Sequence, residues 1–285
     1  MDIIIDYEQL KKRCQQPENE LIGNKKYRFF DNGGDVLAVA HVDVAPSITK
    51  YRTMFYQAEN VTYSPSLDDR LGVYILMDLL PKLGLTFDLL LTTDEEIGQS
   101  TAQLFKTKKD YKWMFQFDRS GVDVVMYEYD TPANRRLLNQ VGLITGIGSF
   151  SDICFLDFLG CTGFNFGTGY YNEHTLQCHM VEDDTIKMIK GFILFFNQNS
   201  DIFLDYNPVE YEQIAYTYGK QSPYLTPVHE ETYDPLDNVL EYDDLGNILT
   251  NPDELCEYCN QAYSDLYIAD LDCTLCDNCM VFLGL

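Results

Sequence analysis

Four apolar runs in this chain each stop at a polar cluster. Residues 36–40 lead into His41-Val42-Asp43, residues 86–91 into Thr92-Thr93-Asp94-Glu95-Glu96, residues 113–117 into Asp118-Arg119-Ser120-Gly121, and residues 161–166 into a glycine-rich loop that ends Asn172-Glu173-His174-Thr175. Nearly continuous apolar runs of this length read as strands buried on both faces. Between them lie helical patterns at residues 66–80, 132–141, 151–159 and 185–197. Strands alternating with helices predict an α/β fold with a mostly parallel central sheet covered by helices on both faces. Parallel strands end along one sheet edge, which is where open α/β folds place their chemistry. Four strand ends therefore offer His41, Glu95-Glu96, Asp118 and His174 to one rim, and the loop carrying Asp68-Asp69 adds a fifth group.

The remaining segments are less informative. Residues 7–22 read as one short polar helix anchored by Leu10 and Leu21, residues 27–30 and 122–129 as strands, Asn32-Gly33-Gly34 as a turn, and residues 47–66 as a loop. A net charge of −25 argues against a nucleic-acid partner, because phosphate binding needs clustered Lys and Arg. No stretch approaches the length of a membrane span, and the N-terminal residues lack the pattern of a secretion signal, so the cytoplasm is the expected address. Composition shifts after residue 200. Residues 201–255 hold thirteen acids against one lysine and read as an acidic linker or arm. The expected organisation is a domain over 1–200, the arm over 201–255, and a small cysteine-rich segment over 256–285.

Taken singly, each polar cluster has an ordinary structural explanation. His41 and Asp43 share one face of a strand because side chains repeat every two residues. Asp68-Asp69 suits the first turn of a helix, where acids oppose the dipole, and Asp94-Glu95-Glu96 suits a solvated, capped turn. Together they suit a metal centre. Imidazole nitrogens and carboxylate oxygens are zinc ligands, and a cation relieves the repulsion between adjacent acids.

In this order the clusters resemble the di-zinc exopeptidase superfamily, the clan of M20, M28 and M42 metallopeptidases. The resemblance covers residues 30–195 and rests on H-x-D, an Asp-Asp pair, Glu-Glu, a later Asp and a late His. It implies the zinc-exopeptidase α/β domain with two co-catalytic zinc ions, or other divalent metals in their place. It further implies that His41 binds one ion, Asp68 bridges both across a cis peptide to Asp69, Glu96 and Asp118 each bind one, and His174 completes the second. Asp43 would orient His41, and Glu95 would be the general base. Two such ions can polarise a carbonyl and activate a water. The implied activity is cleavage of amide bonds in small peptides. Asp rather than Glu at position 118 points to an aminopeptidase over a deacylase or carboxypeptidase. A non-catalytic zinc-binding protein that keeps the fold is the alternative from another class. Only 55 residues separate Asp118 from His174, too few for the dimerisation domain that M20 members insert there, so the domain is expected to be compact.

Cys256-Glu-Tyr-Cys259 and Cys276-Asp-Asn-Cys279 form two C-x-x-C knuckles with sixteen residues between them. That spacing fits a four-thiolate zinc ribbon holding one structural zinc. The ribbon or the acidic arm is where a protein partner would dock. Cys14, Cys154, Cys161 and Cys178 are expected to be buried small hydrophobes, and His179 and His229 to be structural.

Overall fold

The computed structural model describes residues 3–206, 266–268 and 273–275. The chain divides into two units, Met1–Gln221 and Ser222–Leu285.

The first unit opens with helices α1 (Tyr7–Gln15) and α2 (Glu18–Ile22). The single helix expected over 7–22 breaks at Pro17, which drives Gln16 into an extended conformation with ψ 131°. Strands β1 (Arg28–Phe30) and β2 (Leu37–His41) follow, then a hairpin of β3 (Tyr56–Ala58) and β4 (Val61–Tyr63) inside what reads as a loop. Helix α3 (Leu67–Tyr74) runs through a π-helical turn, Ile75–Leu79, into α4 (Leu80–Lys82). The helix thus passes Pro81 instead of stopping before it, and the wide turn falls where the proline lacks an N–H to donate. Next come β5 (Asp88–Thr92), β6 (Met114–Arg119), the two-residue β7 (Val124–Val125), α5 (Pro132–Gln140), β8 (Gly163–Gly167), β9 (Tyr170–Tyr171), β10 (His179–Val181) and α6 (Glu182–Asn199). In the second unit, β11 (Leu266–Ile268) and β12 (Cys273–Leu275) pair antiparallel.

The fold is mixed α/β. The main sheet has six strands in the order β1-β5-β2-β6-β8-β7. Its central strands β5, β2, β6 and β8 are parallel, and β1 and β7 are antiparallel edges. His41 pairs with Thr92, and Val39 pairs with Gln116, so Asp118 lies level with His41 at the same rim. A second sheet, β3-β4-β10-β9, is antiparallel throughout.

The alternation along β6 sorts its side chains. Trp113, just before the strand, with Phe115 and Phe117 forms a fully buried aromatic layer against Phe192, Phe195 and Phe196 of α6, with ring centroids 4.6 Å apart for Phe115 and Phe192 and 5.3 Å for Trp113 and Phe195. Met114, Gln116 and Asp118 face the other way. There the cover is not the helix expected over 151–159 but two short 3-10 turns, Asp152–Phe155 and Asp157–Leu159. Residues 202–206 continue the packing of this unit: the Leu204 N–H donates to Lys112 O at 2.8 Å, and the Tyr206 ring lies 4.6 Å from that of Tyr129. Among the described residues no helix is long and apolar enough to cross a membrane.

Candidate metal centre

The rim groups meet. His41, buried at the end of β2, points Nε2 at Asp68 Oδ1 (3.2 Å) and Asp118 Oδ1 (3.3 Å), with Glu95 Oε2 at 3.9 Å. Its other nitrogen, Nδ1, faces Asp43 Oδ1 at 3.4 Å. His174 Nε2 lies 3.1 Å from Asp68 Oδ2 and 2.9 Å from Glu96 Oε2. The two oxygens of Asp68 are therefore divided between the two imidazoles. Asp43 is itself held, its Oδ2 accepting from the Glu96 N–H at 3.1 Å.

Local backbone geometry brings the groups into reach. The Asp68–Asp69 peptide is cis, and both residues depart from helical angles at the start of α3. His174 and Asn172 sit at φ 59°, in the left-handed region where non-glycine residues are uncommon. At Gly169, φ is 76° and a Cβ would come within 2.6 Å of the Thr185 backbone nitrogen, so only glycine lets this loop pass so close to α6.

The cluster carries more negative charge than the described residues balance. Asp68, Glu96, Asp118, Glu95 and Asp43 converge on two histidines, and among the described residues no Lys or Arg is within ion-pair distance of any of these acids. Burial pushes the Glu95 carboxyl up to about 9 and the Asp118 carboxyl up to about 7. Burial lowers His41, but Asp118, Asp43 and Asp68 outweigh it and hold the imidazole well above its usual range. Bonds to Asp68 and Glu96 raise His174 to about 10, while the same two histidines overcome burial and hold Asp68 well below the usual carboxylate range. Glu96 Oε1 is buried with no hydrogen-bond partner. A donor set of three carboxylates and two imidazoles with an uncompensated charge and an idle buried oxygen fits divalent cations.

Two trios have ligand atoms close enough to hold an ion: His41, Asp68 and Glu96, and His41, Asp69 and Asp118. Asp69 was not among the ligands read from the sequence. It is fully buried, its Oδ1 accepts from the Gly72 N–H at 3.1 Å, and its Oδ2 has no partner. The sequence reading also missed Asp152, a buried carboxylate that accepts from the Ser100 and Thr92 hydroxyls, and the groups that grip Asp118: Gln116, Ser151 and Asn165. Gln116 could have been found, since it lies one strand repeat before Asp118. Nothing in the sequence marks Ser151 or Asp152.

Of the other cysteines, Cys14, Cys161 and Cys178 are buried and Cys154 is half-buried. His179 lies in a row of rings across the small sheet, 5.4 Å from Tyr63 and 5.7 Å from Tyr171. Cys256, Cys259, Cys276, Cys279 and His229 lie outside the described residues.

No protein-family description and no curated protein matches the chain. Several solved structures resemble it. The aminopeptidase PepT of Bacillus cereus aligns with 68% of this chain and 92% of its own, at 10% identity and a TM-score of 0.47. A tripeptidase from Staphylococcus aureus aligns with 68% of this chain and 91% of its own, also at 10% identity and 0.47. The TET1 peptidase of Pyrococcus horikoshii, which can assemble into a tetrahedron or a large octahedral shell, aligns with 65% of this chain and 98% of its own, at 13% identity and 0.45.

Proposed function

We propose that this chain is a metal-dependent amide hydrolase of the di-zinc exopeptidase type, acting as an aminopeptidase on small peptides. The observation that carries the reading is the division of Asp68 between His41 and His174, since a carboxylate with one oxygen toward each of two imidazoles suits a bridge between two adjacent cations. His41, Asp68 and Asp118 would hold one ion, and His174, Asp68 and Glu96 the other. Bound there, divalent zinc supplies Lewis acidity toward a carbonyl and lowers the pKa of water.

The chain's own groups do the rest. Asp43, whose Oδ1 faces His41 Nδ1 at 3.4 Å, would favour the tautomer that carries its proton on Nδ1 and leaves Nε2 free as a ligand. Glu95, with its Oε2 on the cluster side of His41, would be ionised once cations offset the burial that raises it, and would then take a proton from the attacking water and pass it to the nitrogen of the leaving amine as the C–N bond breaks. The acidic surroundings favour a substrate that brings a free ammonium group. We also assign one structural zinc to Cys256, Cys259, Cys276 and Cys279, an organisation of domain, acidic arm and ribbon at 1–200, 201–255 and 256–285, a protein partner at the arm or ribbon, and a cytoplasmic address.

The deciding experiment pairs metal analysis with a substrate panel of di- and tripeptides, aminoacyl amides and N-acyl amino acids. Turnover confined to substrates with a free N-terminus is expected. Turnover confined to N-acyl substrates would make the enzyme a deacylase. Zinc bound with no turnover across the panel would make the chain a binding protein. For the ribbon, Cys256→Ser with Cys279→Ser should lower zinc by one ion per chain with amide hydrolysis retained, and unchanged zinc content would remove the assignment.

A further inference from the structure

We propose that Ser151 and Gln116 are positioning residues that hold one oxygen of Asp118 so that only the other is presented to a metal ion. This rests on the metal-centre reading above. Asp118 sits at the end of β6 with its Oδ1 toward His41 Nε2 and its Oδ2 turned away from that nitrogen. Oδ2 accepts from the Ser151 hydroxyl at 2.8 Å and from the Gln116 side-chain amide at 2.9 Å.

One backbone donor orients this collar. The Gln116 carbonyl oxygen accepts from the Ile153 backbone N–H at 3.1 Å, which fixes the amide orientation and aims Nε2 at the site. Nε2 then donates to both Asp118 Oδ2 and Ser151 Oγ. Having accepted that bond, the Ser151 hydroxyl has its proton free for Oδ2. Gln116 and Ser151 are both fully buried, so water cannot replace either. The Asp118 backbone is fixed as well, its N–H donating to Asn165 Oδ1 at 3.0 Å, with Asn165 Nδ2 donating in turn to the Tyr127 hydroxyl at 2.9 Å.

Two donors on Oδ2 bar Asp118 from gripping a cation with both oxygens. The 3-10 turn Asp152–Phe155 has a place in this scheme, because it delivers the Ile153 N–H and follows directly on Ser151.

The test uses metal-free full-length protein titrated with Zn²⁺ in a calorimeter and, in parallel, with Co²⁺ followed by its absorption spectrum, in which thiolate charge-transfer bands set the ion assigned to the four cysteines apart from the two ions of the centre. Ser151→Ala and Gln116→Met are each expected to weaken one of the two ions by about 10- to 100-fold, the range typical of groups that orient metal ligands, and to alter the Co²⁺ spectrum. The other ion should bind as in the parent protein, and Ser151→Thr, which keeps the hydroxyl, should restore the first. Both ions bound at parental affinity with an unchanged spectrum in Ser151→Ala and Gln116→Met would overturn the proposal. So would a lowered melting temperature of the metal-free variants without loss of affinity, because the collar would then be structural only. If Ser151→Ala does not fold, Gln116→Met decides. A parent protein that binds no divalent cation outside the cysteine site would remove the metal-centre reading itself, a result distinct from either.

Discussion

Glu95 and Glu96 are neighbours in one 3-10 turn, yet their side chains part. Glu96 reaches His174 at 2.9 Å, while Glu95 stays 3.9 Å from His41 and is more exposed. That separation lets one act as a ligand and the other handle a proton. Glu95→Gln keeps the shape and removes the proton acceptor, so kcat should fall by about 10²- to 10⁴-fold with both ions retained. Measuring kcat and bound zinc on one preparation decides the matter: full metal with near-normal kcat would take Glu95 out of the mechanism, and lost metal would make it a ligand. Asp68→Ala should lose both ions, and His41→Ala mainly one, as equilibrium dialysis would show. If Asp68→Ala kept two tight ions, Asp69 would take over the bridging role. That His41, Glu96, Asp118 and His174 come together was legible in the sequence because each follows an apolar run that reads as a strand. Asp69, Asp152 and Ser151 were not, because a carboxylate or hydroxyl becomes part of a site only through the neighbours that a fold supplies.

Helix α3 lies so close to β6 that one position decides their spacing. A Cβ on Gly72 would stand 2.0 Å from Asp69 Oδ1 and 2.2 Å from the Phe117 carbonyl oxygen. In an exposed helix, glycine to alanine gains about 1 kcal/mol. Here overpacking, typically about 1–3 kcal/mol, should outweigh that gain. Gly72→Ala is therefore expected to lower the melting temperature and also weaken metal binding, since the displaced groups are Asp69 and the carbonyl next to Asp118. An unchanged melting temperature and zinc affinity would show that α3 can slide without cost. At this scale the buried strands were readable from composition alone, and β3 with β4 was not. Tyr56 and Gln57 are exposed, so that hairpin shows no apolar alternation. Residues 151–159 mislead in the opposite sense: apolar spacing suggests a helix, but Ser151 and Asp152 are drawn into bonds with Asp118, Gln116, Thr92 and Ser100, and only 3-10 turns form. Residues 122–129 yield only a two-residue strand because Tyr127 turns at φ 50°.

Across the whole first unit, the metal centre ties stability to pH, and the sign follows from the raised groups. In the metal-free protein Asp118 and Glu95 rise to about 7 and about 9 from ordinary values of 3.8 and 4.5, driven by burial. His174 rises to about 10 from 6.5 through its bonds to Asp68 and Glu96, and His41 also stands well above 6.5. Each of these groups binds its proton more tightly folded than unfolded. The stability they contribute is complete below the unfolded values and fades as pH rises through the folded ones. Asp68 and Asp43 are shifted down from 3.8, so their contribution changes only in acid and is flat across neutral pH. The melting temperature of the metal-free protein should therefore fall as pH rises from about 5.5 to about 8.5, by roughly 2–4 °C for each kcal/mol lost in a domain of this size. Divalent metal replaces those protons, so the gain in melting temperature on adding zinc should widen over the same range, with protons released on binding. Trp113 is the single tryptophan of the chain and is fully buried in the aromatic layer, so its fluorescence follows the unfolding of this unit. A metal-free melting curve that stays level or rises between those pH values would mean that the fold does not hold protons on these groups, and the coupling of stability to pH through the cluster would be wrong.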